Sequence, residues 1–545
     1  MGIQVSDQIA IALKQHGIEV VFGIVGIPIV ELAEKLAEHG VRFIACRNEQ
    51  SCSYAASVYG YLTNKPGALL VVGGSGVVHA LAGIHNAWVN KWPLLVIAGS
   101  TEDEYKGGFQ ELDQLRIVAP WTSFKGRLSL DNVNYMVYTA VKTAVLQHGV
   151  SYLDVPGRLI NMDAVGPLAS KPVDIQHVRS GPDSSRVQGA AKLLQDGRNI
   201  LVVVGRGCAE YPGVVRSFLE RYRLPFLPVP MAKGIVPDSH ELNVNGCRSL
   251  ALKRAEIVLV LGARLNWILH YGSAPKWNAD ATFIQVDRDP ATLGHNNSSG
   301  VNYSVLSDVE LFINAITAVL PQSWQYRGVD NEVLDKIREN GVKLQRKAQL
   351  TPGSPLNYHA VYSLLRKLID DKNTILSAEG ANTMDNSRLW FGTDYPKRRL
   401  DAGTGATMGL GVGYALSAKL ANPDKFVVAL EGDSAFGFSC MELETAVRNK
   451  VGLVVVVMNN GGIYHGNPGS GPVRTTDLSP ECAYHLVGQG LGCNGVLIRT
   501  LDELKKEFPR ALQNSMKSIT TVLNVILEPG TQTNVSFGWQ AKSNM

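Results

Sequence analysis

Short apolar segments alternate with amphipathic ones along the whole chain, and this alternation limits the folds that the sequence can adopt. In the first part, apolar segments of strand length end near residues 26, 47, 74 and 100, with helical spacing near 30–39, 49–63 and 77–90 between them. Apolar strands joined by helices are typical of a parallel sheet covered on both faces. The sequence therefore predicts α/β domains built on doubly wound parallel sheets.

The alternation restarts twice, each time after a polar stretch. The stretch 170–189 precedes apolar segments that end in "GRGCAEY", "GARLNW" and "QVDRDP". The stretch 331–358 precedes "TILSAEGAN", "VVALEGDS", "LVVVVMNN" and "TVLNVILEPG". With boundaries near 175 and 345, we expect three domains, at 1–175, 185–330 and 345–545.

Composition excludes several classes of protein. The net charge is +4, from 52 basic and 48 acidic residues, so no global field favours nucleic acid or a membrane surface. The seven cysteines are scattered without a C-x-x-C pair, which argues against a disulfide framework or a zinc site. No apolar run approaches the length of a membrane span, and no secretory signal opens the chain, so we expect a soluble, unsecreted protein.

An acid and two amides stand at the ends of two predicted strands. Asp433 follows one strand, and Asn460 ends the next, 27 residues later (460 − 433 = 27). Both points fall at the carboxyl edge of a parallel sheet, where such folds bind ligands. Oxygen ligands of this kind suit Mg²⁺ or Ca²⁺ with a phosphate completing the shell. An isolated Gly-Asp is more often a helix cap, but the paired asparagines and the strand-helix-strand context favour a clamp for a metal and a diphosphate.

The segment from Gly432-Asp433-Ser434 to Asn459-Asn460 resembles the metal and diphosphate motif of thiamine-diphosphate enzymes. The resemblance implies that Asp433 and Asn460 bind Mg²⁺ through their side chains and Gly462 through its carbonyl. It also implies that thiamine diphosphate is contacted by these ligands and by neighbours in the same turns and in "EGANTMD", namely Ser434, Ala435, Ile463, Tyr464, Ala381 and Asn382.

Other segments resemble the part of the family that holds the two rings of the cofactor. Glu49 of "RNEQSCSYAAS" opens a predicted helix that faces "GIVGIP", which contains Gly26. A lone glutamate in a first turn is usually a surface residue, but the resemblance implies that Glu49 hydrogen-bonds the pyrimidine and activates the cofactor. It further implies that Met408 wedges between the rings and that the carbonyl of Ala406, where relatives commonly have glycine, accepts from the amino group.

The closest resemblance is to the group of 2-hydroxyacyl-CoA lyase and oxalyl-CoA decarboxylase, carried by "GARLNWILH" and "GDSAFGFS". Both activities produce formyl-CoA and differ in the leaving group, an aldehyde or carbon dioxide. Decarboxylases of the group have Tyr-Glu where this chain has Phe109-Gln110, so we predict the lyase, which cleaves 2-hydroxy-long-chain-acyl-CoA in fatty acid α-oxidation. Gln110 would hold the 2-hydroxyl or a water.

Four alternatives stay open at this point. Phe109 and Gln110 could instead pack a domain interface. The chain could be an oxalyl-CoA decarboxylase, an acetolactate-synthase-like carboligase, or a degenerate homologue that acts as a binding or regulatory subunit. Intact Glu49, Asp433 and Asn460 argue against the last.

The resemblance also implies partners. The central domain would hold the nucleotide of the acyl-CoA substrate, or ADP, with Arg206 and Arg264 near phosphate and Asp287 near ribose, although ordinary surface charge is the alternative. In the family the first domain of one chain meets the third domain of another, which implies a homodimer or homotetramer. The terminal Ser543-Asn544-Met545 resembles a peroxisomal address. We therefore expect an import receptor as a partner and a peroxisomal matrix location, otherwise a cytoplasmic one.

Overall fold

The computed structural model of the chain describes residues 2–101, 106–166, 175 and 178–530. The predicted address Ser543-Asn544-Met545 lies outside these residues. Packing divides the described residues into two units, one within the ranges 1–177, 375–384 and 401–529 and the other within the ranges 178–374 and 385–400. The predicted domain limits at 175 and 345 stay a prediction, and each unit is described by itself.

The first sheet belongs to the first unit. Its strands, all in parallel pairs, have the order β2-β1-β3-β4-β6-β5 among the described residues. The strands are β1 (Val20–Gly23), β2 (Arg42–Ala45), β3 (Gly67–Val71), β4 (Leu94–Ser100), β5 (Phe124–Arg127) and β6 (Val150–Pro156). The helices are α1 (Val5–Gln15), α2 (Val30–Glu38), α3 (Glu49–Thr63), α4 (Ser75–Asn90), α5 (Gln114–Val118) and α6 (Val133–Gln147).

The second sheet belongs to the second unit. Its parallel strands have the order β11-β10-β9-β7-β8 in the part that the structure describes. The strands are β7 (Ile200–Val204), β8 (Phe226–Pro228), β9 (Ile257–Leu261), β10 (Thr282–Asp287) and β11 (Val305–Leu306). The helices are α7 (Ser184–Asp196), α8 (Pro212–Tyr222), α9 (Arg248–Arg254), α10 (Val309–Val319), α11 (Asn331–Lys347) and α12 (Tyr358–Leu368).

The strands of the third sheet that belong to the first unit have the order β12-β14-β15-β17-β16. The strands of this part of the chain are β12 (Thr374–Glu379), β13 (Arg399–Leu400), β14 (Phe426–Gly432), β15 (Val454–Asn459), β16 (Asn494–Ile498) and β17 (Thr521–Ile526). The helices are α13 (Ala381–Trp390), α14 (Gly411–Ala421), α15 (Asp433–Ser439), α16 (Glu442–Arg448), α17 (Tyr484–Gly490) and α18 (Leu501–Met516). The prediction of three parallel-sheet α/β domains is confirmed.

Two elements show why this sequence folds in this way. In β15 the run Val454–Val457 is buried on both faces, as β-branched side chains between two helical layers should be. The helix α3 is buried from Ser51 to Tyr61, and it packs against α4 and α14. Small residues make this close packing feasible, because a Cβ added at Gly83 of α4 would lie 2.2 Å from the Ser53 hydroxyl oxygen.

None of the helices within the described ranges combines the length and the apolar character that a membrane crossing requires.

Candidate functional site

The turn after β14 holds the first predicted metal ligand. Asp433 follows Gly432 and opens α15, and 2% of its surface is exposed. Its carboxylate accepts hydrogen bonds from the N–H of Ser434 at 2.7 Å and the N–H of Gly462 at 3.0 Å. Burial raises the pKa of Asp433 to about 6, although these hydrogen bonds lower it. Backbone amides stabilise the charge of Asp433, and a bound cation would favour the ionised carboxylate further.

The turn after β15 brings the second predicted ligand to the same edge. Asn460 follows β15, and its side-chain nitrogen donates to the carbonyl of Tyr464 at 3.1 Å. The side-chain nitrogen of Asn382 donates to the same carbonyl at 2.7 Å. Since β14 and β15 are parallel neighbours, and Gly462 bonds to Asp433, the structure brings these predicted residues together.

The donor set fits a magnesium ion with a diphosphate. The bond to Tyr464 commits the nitrogen of Asn460 to the protein, which leaves the amide oxygen as the atom that a cation can use. Across the described residues, no group of three or more His, Cys, Asp or Glu side chains is placed to hold a metal. A metal at this edge therefore depends on one carboxylate, Asp433, completed by amide, carbonyl and phosphate oxygens, which is the composition that Mg²⁺ accepts.

A buried pair of carboxyls lies under these turns, and the sequence analysis gave it no role. Glu379 ends β12, and its carboxylate accepts from the N–H of Gly409 and, at 2.5 Å, from the N–H of Gly411. Burial raises the pKa of Glu379 to about 7 and raises that of its neighbour Glu431 well above the usual range. The available signal was an acid at the end of an apolar strand, directly before glycine, in both "SAEG" and "ALEG".

The loop before α14 contains two more predicted cofactor contacts. Ala406 has φ 45° and ψ 51°, the left-handed region that glycine adopts readily and alanine rarely. The hydroxyls of Thr407 and Tyr54 of α3 are 2.6 Å apart. On the other side of Met408, the N–H of Gly409 bonds to Glu379. The main chain is thus held on both sides of Met408.

The predicted acid of the first sheet stands at the start of α3. Asn48 caps this helix by accepting from the N–H of Gln50 at 2.7 Å, so Glu49 lies in the first turn. The Glu49 carboxylate is 3.2 Å from Nδ1 of His79, a partner on α4 that the sequence analysis missed. The predicted contact Gly26 lies in the loop after β1. The only signal for His79 was a histidine at the fifth position of the helix that follows a glycine-rich turn.

Phe109 and Gln110 line a groove of about 350 Å³ at the carboxyl edge of the first sheet, together with Ile27, Pro28 and Lys106. Phe109 and Ile27 are 68% and 71% exposed, which leaves two large apolar side chains open to a ligand. Gln110 has φ 58°. Its carbonyl packs so close to the glycine-rich turn before α4 that a Cβ at Gly74 would lie 2.7 Å from it.

In the second unit, the three predicted nucleotide-binding residues stand at the ends of β7, β9 and β10 and influence one another. Burial raises the pKa of Asp287, and the positive charge of Arg206 opposes that rise. Burial lowers the pKa of Arg264, and the charges of Asp287 and Asp289 oppose that fall. Two arginines and a partly buried acid at one sheet edge suit a phosphate and a ribose hydroxyl, and this role stays a prediction.

Comparison with protein families agrees with the three sheets. Three descriptions match in order: the N-terminal TPP binding domain of thiamine pyrophosphate enzymes at residues 3–117, their central domain at 187–316, and their C-terminal TPP binding domain at 379–525. These matches span more than half of the chain. The chain belongs to the thiamine pyrophosphate enzyme family.

Relatives within the thiamine pyrophosphate enzymes extend the likeness over the full length. A 2-hydroxyacyl-CoA lyase of Saccharomyces cerevisiae is 50% identical over 551 residues, 98% of each chain. The 2-hydroxyacyl-CoA lyase 1 of Homo sapiens is 35% identical over 98% of this chain and 97% of its own. An oxalyl-CoA decarboxylase of Escherichia coli is 34% identical over 96% of this chain and 94% of its own. The resemblance to this group of lyases and decarboxylases is confirmed.

Membership places the site residues in domains of known type. The N-terminal TPP binding domain contains Glu49 and the groove residues Phe109 and Gln110. The C-terminal TPP binding domain contains Asp433 and Asn460. This thiamine pyrophosphate enzyme therefore carries both halves of a cofactor site, and the part played by each residue is a matter for proposal.

Proposed function

We propose that the chain is a 2-hydroxyacyl-CoA lyase, which cleaves a 2-hydroxy-long-chain-acyl-CoA to formyl-CoA and an aldehyde one carbon shorter. The observation that carries the proposal is the 50% identity to a relative of that name over 98% of both chains. The oxalyl-CoA decarboxylase relative stands at 34% identity. The neutral side chain of Gln110 in the groove supports the same choice, because a carboxylate leaving group and a neutral hydroxyl need different neighbours.

The reaction breaks the bond between carbons 1 and 2, removes the proton of the 2-hydroxyl, and adds a proton to the carbon that becomes formyl. When bound, thiamine diphosphate supplies a carbon nucleophile for the thioester carbonyl and accepts the electron pair of the broken bond. Gln110 holds the hydroxyl, or a water that takes its proton, by a hydrogen bond. Ile27 and Phe109 offer exposed apolar surface to the substrate at this end of the groove.

The cofactor is held at both ends. Asp433, Asn460 and the carbonyl of Gly462 bind Mg²⁺, with Asn382 and Ser434 beside the diphosphate. At the other end Glu49 holds a proton at the pyrimidine nitrogen, and His79, at 3.2 Å, orients the carboxylate.

The loop before α14 completes the cofactor site. Ala406 and Met408 position the pyrimidine and thiazolium rings, and Gly26, Ala381, Ala435, Ile463 and Tyr464 line the remaining surface.

The assembly and address of the enzyme follow the family pattern. We place each site between two chains of a homodimer or homotetramer, with Glu49 from one chain and Asp433 from the other. Arg206, Arg264 and Asp287 hold the nucleotide of CoA, or ADP. The terminal Ser543-Asn544-Met545 directs the chain through an import receptor to the peroxisomal matrix.

Product analysis tests the proposal. Purified protein with thiamine diphosphate and Mg²⁺ is incubated separately with a 2-hydroxyacyl-CoA and with oxalyl-CoA, and the products are identified by mass spectrometry. We expect formyl-CoA and the shortened aldehyde from the first substrate, and neither from a Glu49→Gln variant. Formyl-CoA from oxalyl-CoA alone would identify a decarboxylase instead, and full activity of Glu49→Gln would refute the role of this carboxylate.

A further inference from the structure

Asn459 ends β15 and Asn460 follows it, and their side chains have different hydrogen-bond partners. Asn459 bonds to a third asparagine, Asn524. We propose that Asn524 of β17 is a positioning residue for the metal-binding turn, because it joins both ends of the loop 461–482 through Asn459 and thereby fixes the carbonyl of Gly462. The inference rests on the proposed magnesium and diphosphate site.

The contacts of Asn459 and Asn524 meet at the foot of the loop, where the side-chain nitrogen of Asn524 also lies 3.4 Å from Nδ1 of His485. The side-chain nitrogen of Asn459 donates to the side-chain oxygen of Asn524 at 3.1 Å. Both side chains also donate to the carbonyl of Cys482, each at 2.9 Å. Asn459 precedes the loop and Cys482 ends it. Asn524 therefore hydrogen-bonds to residues at both ends of the loop.

The side-chain oxygen of Asn459 extends this restraint to the turn that contains Gly462. It accepts from the N–H of Gly461 at 3.2 Å. The carbonyl of Gly461 in turn accepts from the N–H of Leu478 at 2.8 Å, on the returning arm of the loop. The next residue is Gly462, whose N–H bonds to Asp433 and whose carbonyl is the proposed ligand.

The burial of Asn459 and Asn524 indicates that their hydrogen bonds maintain a specific geometry. Asn524 is fully buried and Asn459 is 1% exposed, and apart from Thr521 the other residues of their two strands are apolar. A buried amide lowers stability unless its nitrogen and oxygen are both hydrogen-bonded, and a valine at position 524 would avoid that cost. Since successive side chains of a strand point to opposite faces, Asn459 can turn inward to Asn524 while Asn460 faces the site.

Calorimetric titration of thiamine diphosphate at a series of Mg²⁺ concentrations tests the proposal without relying on turnover. Loss of a side chain that orients a metal ligand lowers metal affinity by about 10–100-fold. We therefore expect Asn524→Ala to raise the Mg²⁺ concentration for half-maximal cofactor binding by that factor, and excess Mg²⁺ to restore binding. The matched control is Asn494→Ala on the neighbouring strand β16, an exposed asparagine, which should leave the Mg²⁺ requirement unchanged.

A purely structural role would lower the melting temperature of Asn524→Ala and leave the Mg²⁺ requirement at the wild-type value, and that result overturns the proposal. If Asn524→Ala does not fold, Asn459→Ser replaces it, because the serine hydroxyl can still accept from Gly461 but cannot reach both partners. Where both fold, the double variant should require no more Mg²⁺ than the more affected single variant, and additive effects contradict the coupling. Failure of the wild-type protein to bind the cofactor with Mg²⁺ would instead refute the site itself.

Discussion

Ala406 stands where the proposed cofactor site needs a backbone that alanine adopts reluctantly. Its left-handed φ of 45° turns the chain just before Met408, and its side chain is exposed. An L-residue with a Cβ is disfavoured there by roughly 1–2 kcal/mol. The chain therefore keeps a strained residue two positions before Met408.

The strain predicts an unusual sign for a substitution to glycine. We expect Ala406→Gly to raise the free energy of unfolding by up to about 1 kcal/mol, because the removed strain outweighs the entropy gained by the unfolded chain. Ala406→Val should lower it, since a β-branched side chain fits this region worse. Urea denaturation measures both, with Ala37→Gly on the exposed face of α2 as the control that should lose stability. A midpoint for Ala406→Gly below that of the wild type would contradict the argument.

Sequence patterns could indicate Asp433 and Asn460 because each polar residue follows directly on an apolar strand, and strand ends meet at one edge of a parallel sheet. Asn524 gives no comparable signal. It lies inside its strand, where the register pairs it with Val457, and only the folded side chains reveal its hydrogen bond with Asn459. Glu379 is similar, because its bonds run to Gly409 and Gly411, which are close to it only in the folded chain.

The helices α3, α4 and α14 are joined by hydrogen bonds that cross buried surfaces. Asn86 of α4 donates to the hydroxyl of Tyr414 of α14 at 2.5 Å, and neither residue has exposed surface. Asn86 also donates to the Ser57 hydroxyl at 3.4 Å, a longer contact. The Tyr414 hydroxyl is therefore the main acceptor for this amide.

Removing that acceptor should destabilise the helix layer. We expect Tyr414→Phe to lower the free energy of unfolding by about 1–3 kcal/mol, the usual loss when a buried donor is left without its partner. Tyr135→Phe is the matched control, since Tyr135 of α6 is 68% exposed and should change stability little. Equal denaturation midpoints for the two variants would show that Asn86 finds another acceptor.

The N-cap of α10 predicts an acid-sensitive step in the second unit. Burial raises the pKa of Asp308, but hydrogen bonds from Arg179 at 2.8 Å and from the Tyr211 hydroxyl at 2.7 Å outweigh it, and the net pKa is lowered. Because the folded pKa lies below the unfolded value of about 3.9, the charged carboxyl stabilises the fold above that pH. This stabilisation is lost as the pH falls through the folded value.

Replacing the ionisable group should remove this dependence. We expect Asp308→Asn to be less stable than the wild type by a constant amount above about pH 5, and the difference to shrink as the pH falls below about 3.9. Thermal melting between pH 7 and pH 3 measures it, with the exposed Asp502→Asn as the control. A difference that stays constant down to pH 3 would mean that the charge of Asp308 contributes nothing.

The sequence predicts best the strands whose side chains are apolar almost throughout, and it misses strands that polar side chains interrupt or that lie partly exposed at a sheet edge. The patterns predicted β12, β15 and β17, whose side chains are almost entirely buried. They did not predict β5 or β16, which lie at sheet edges and are only partly buried, nor β6, which is buried but contains Ser151 and Asp154. An edge strand has one neighbour and more contact with water, so its sequence is less apolar and its pattern is weaker.

Mixed assemblies test whether a complete site needs two chains. Glu49→Gln and Asp433→Ala should each be inactive alone, since each damages every site. If each site combines Glu49 of one chain with Asp433 of the other, a mixed dimer has one site that carries both substitutions and one site that carries neither. Random co-assembly should then restore about a quarter of wild-type product formation. No recovery, in a sample shown by mass spectrometry to contain mixed dimers, would place Glu49 and Asp433 of one chain in the same site.

The first unit is assembled from parts of the chain that are made at different times. The first segment of this unit ends at residue 177. The segment that begins the third sheet starts near residue 375, 198 residues later (375 − 177 = 198). At about 5–20 residues per second, a ribosome needs roughly 10–40 s to make the intervening chain. Throughout that interval the faces of α3 and α4 that will meet α14 have no partner. A nascent chain therefore exposes the surface of α3 that packs against α14 until residues 411–421 have been synthesised.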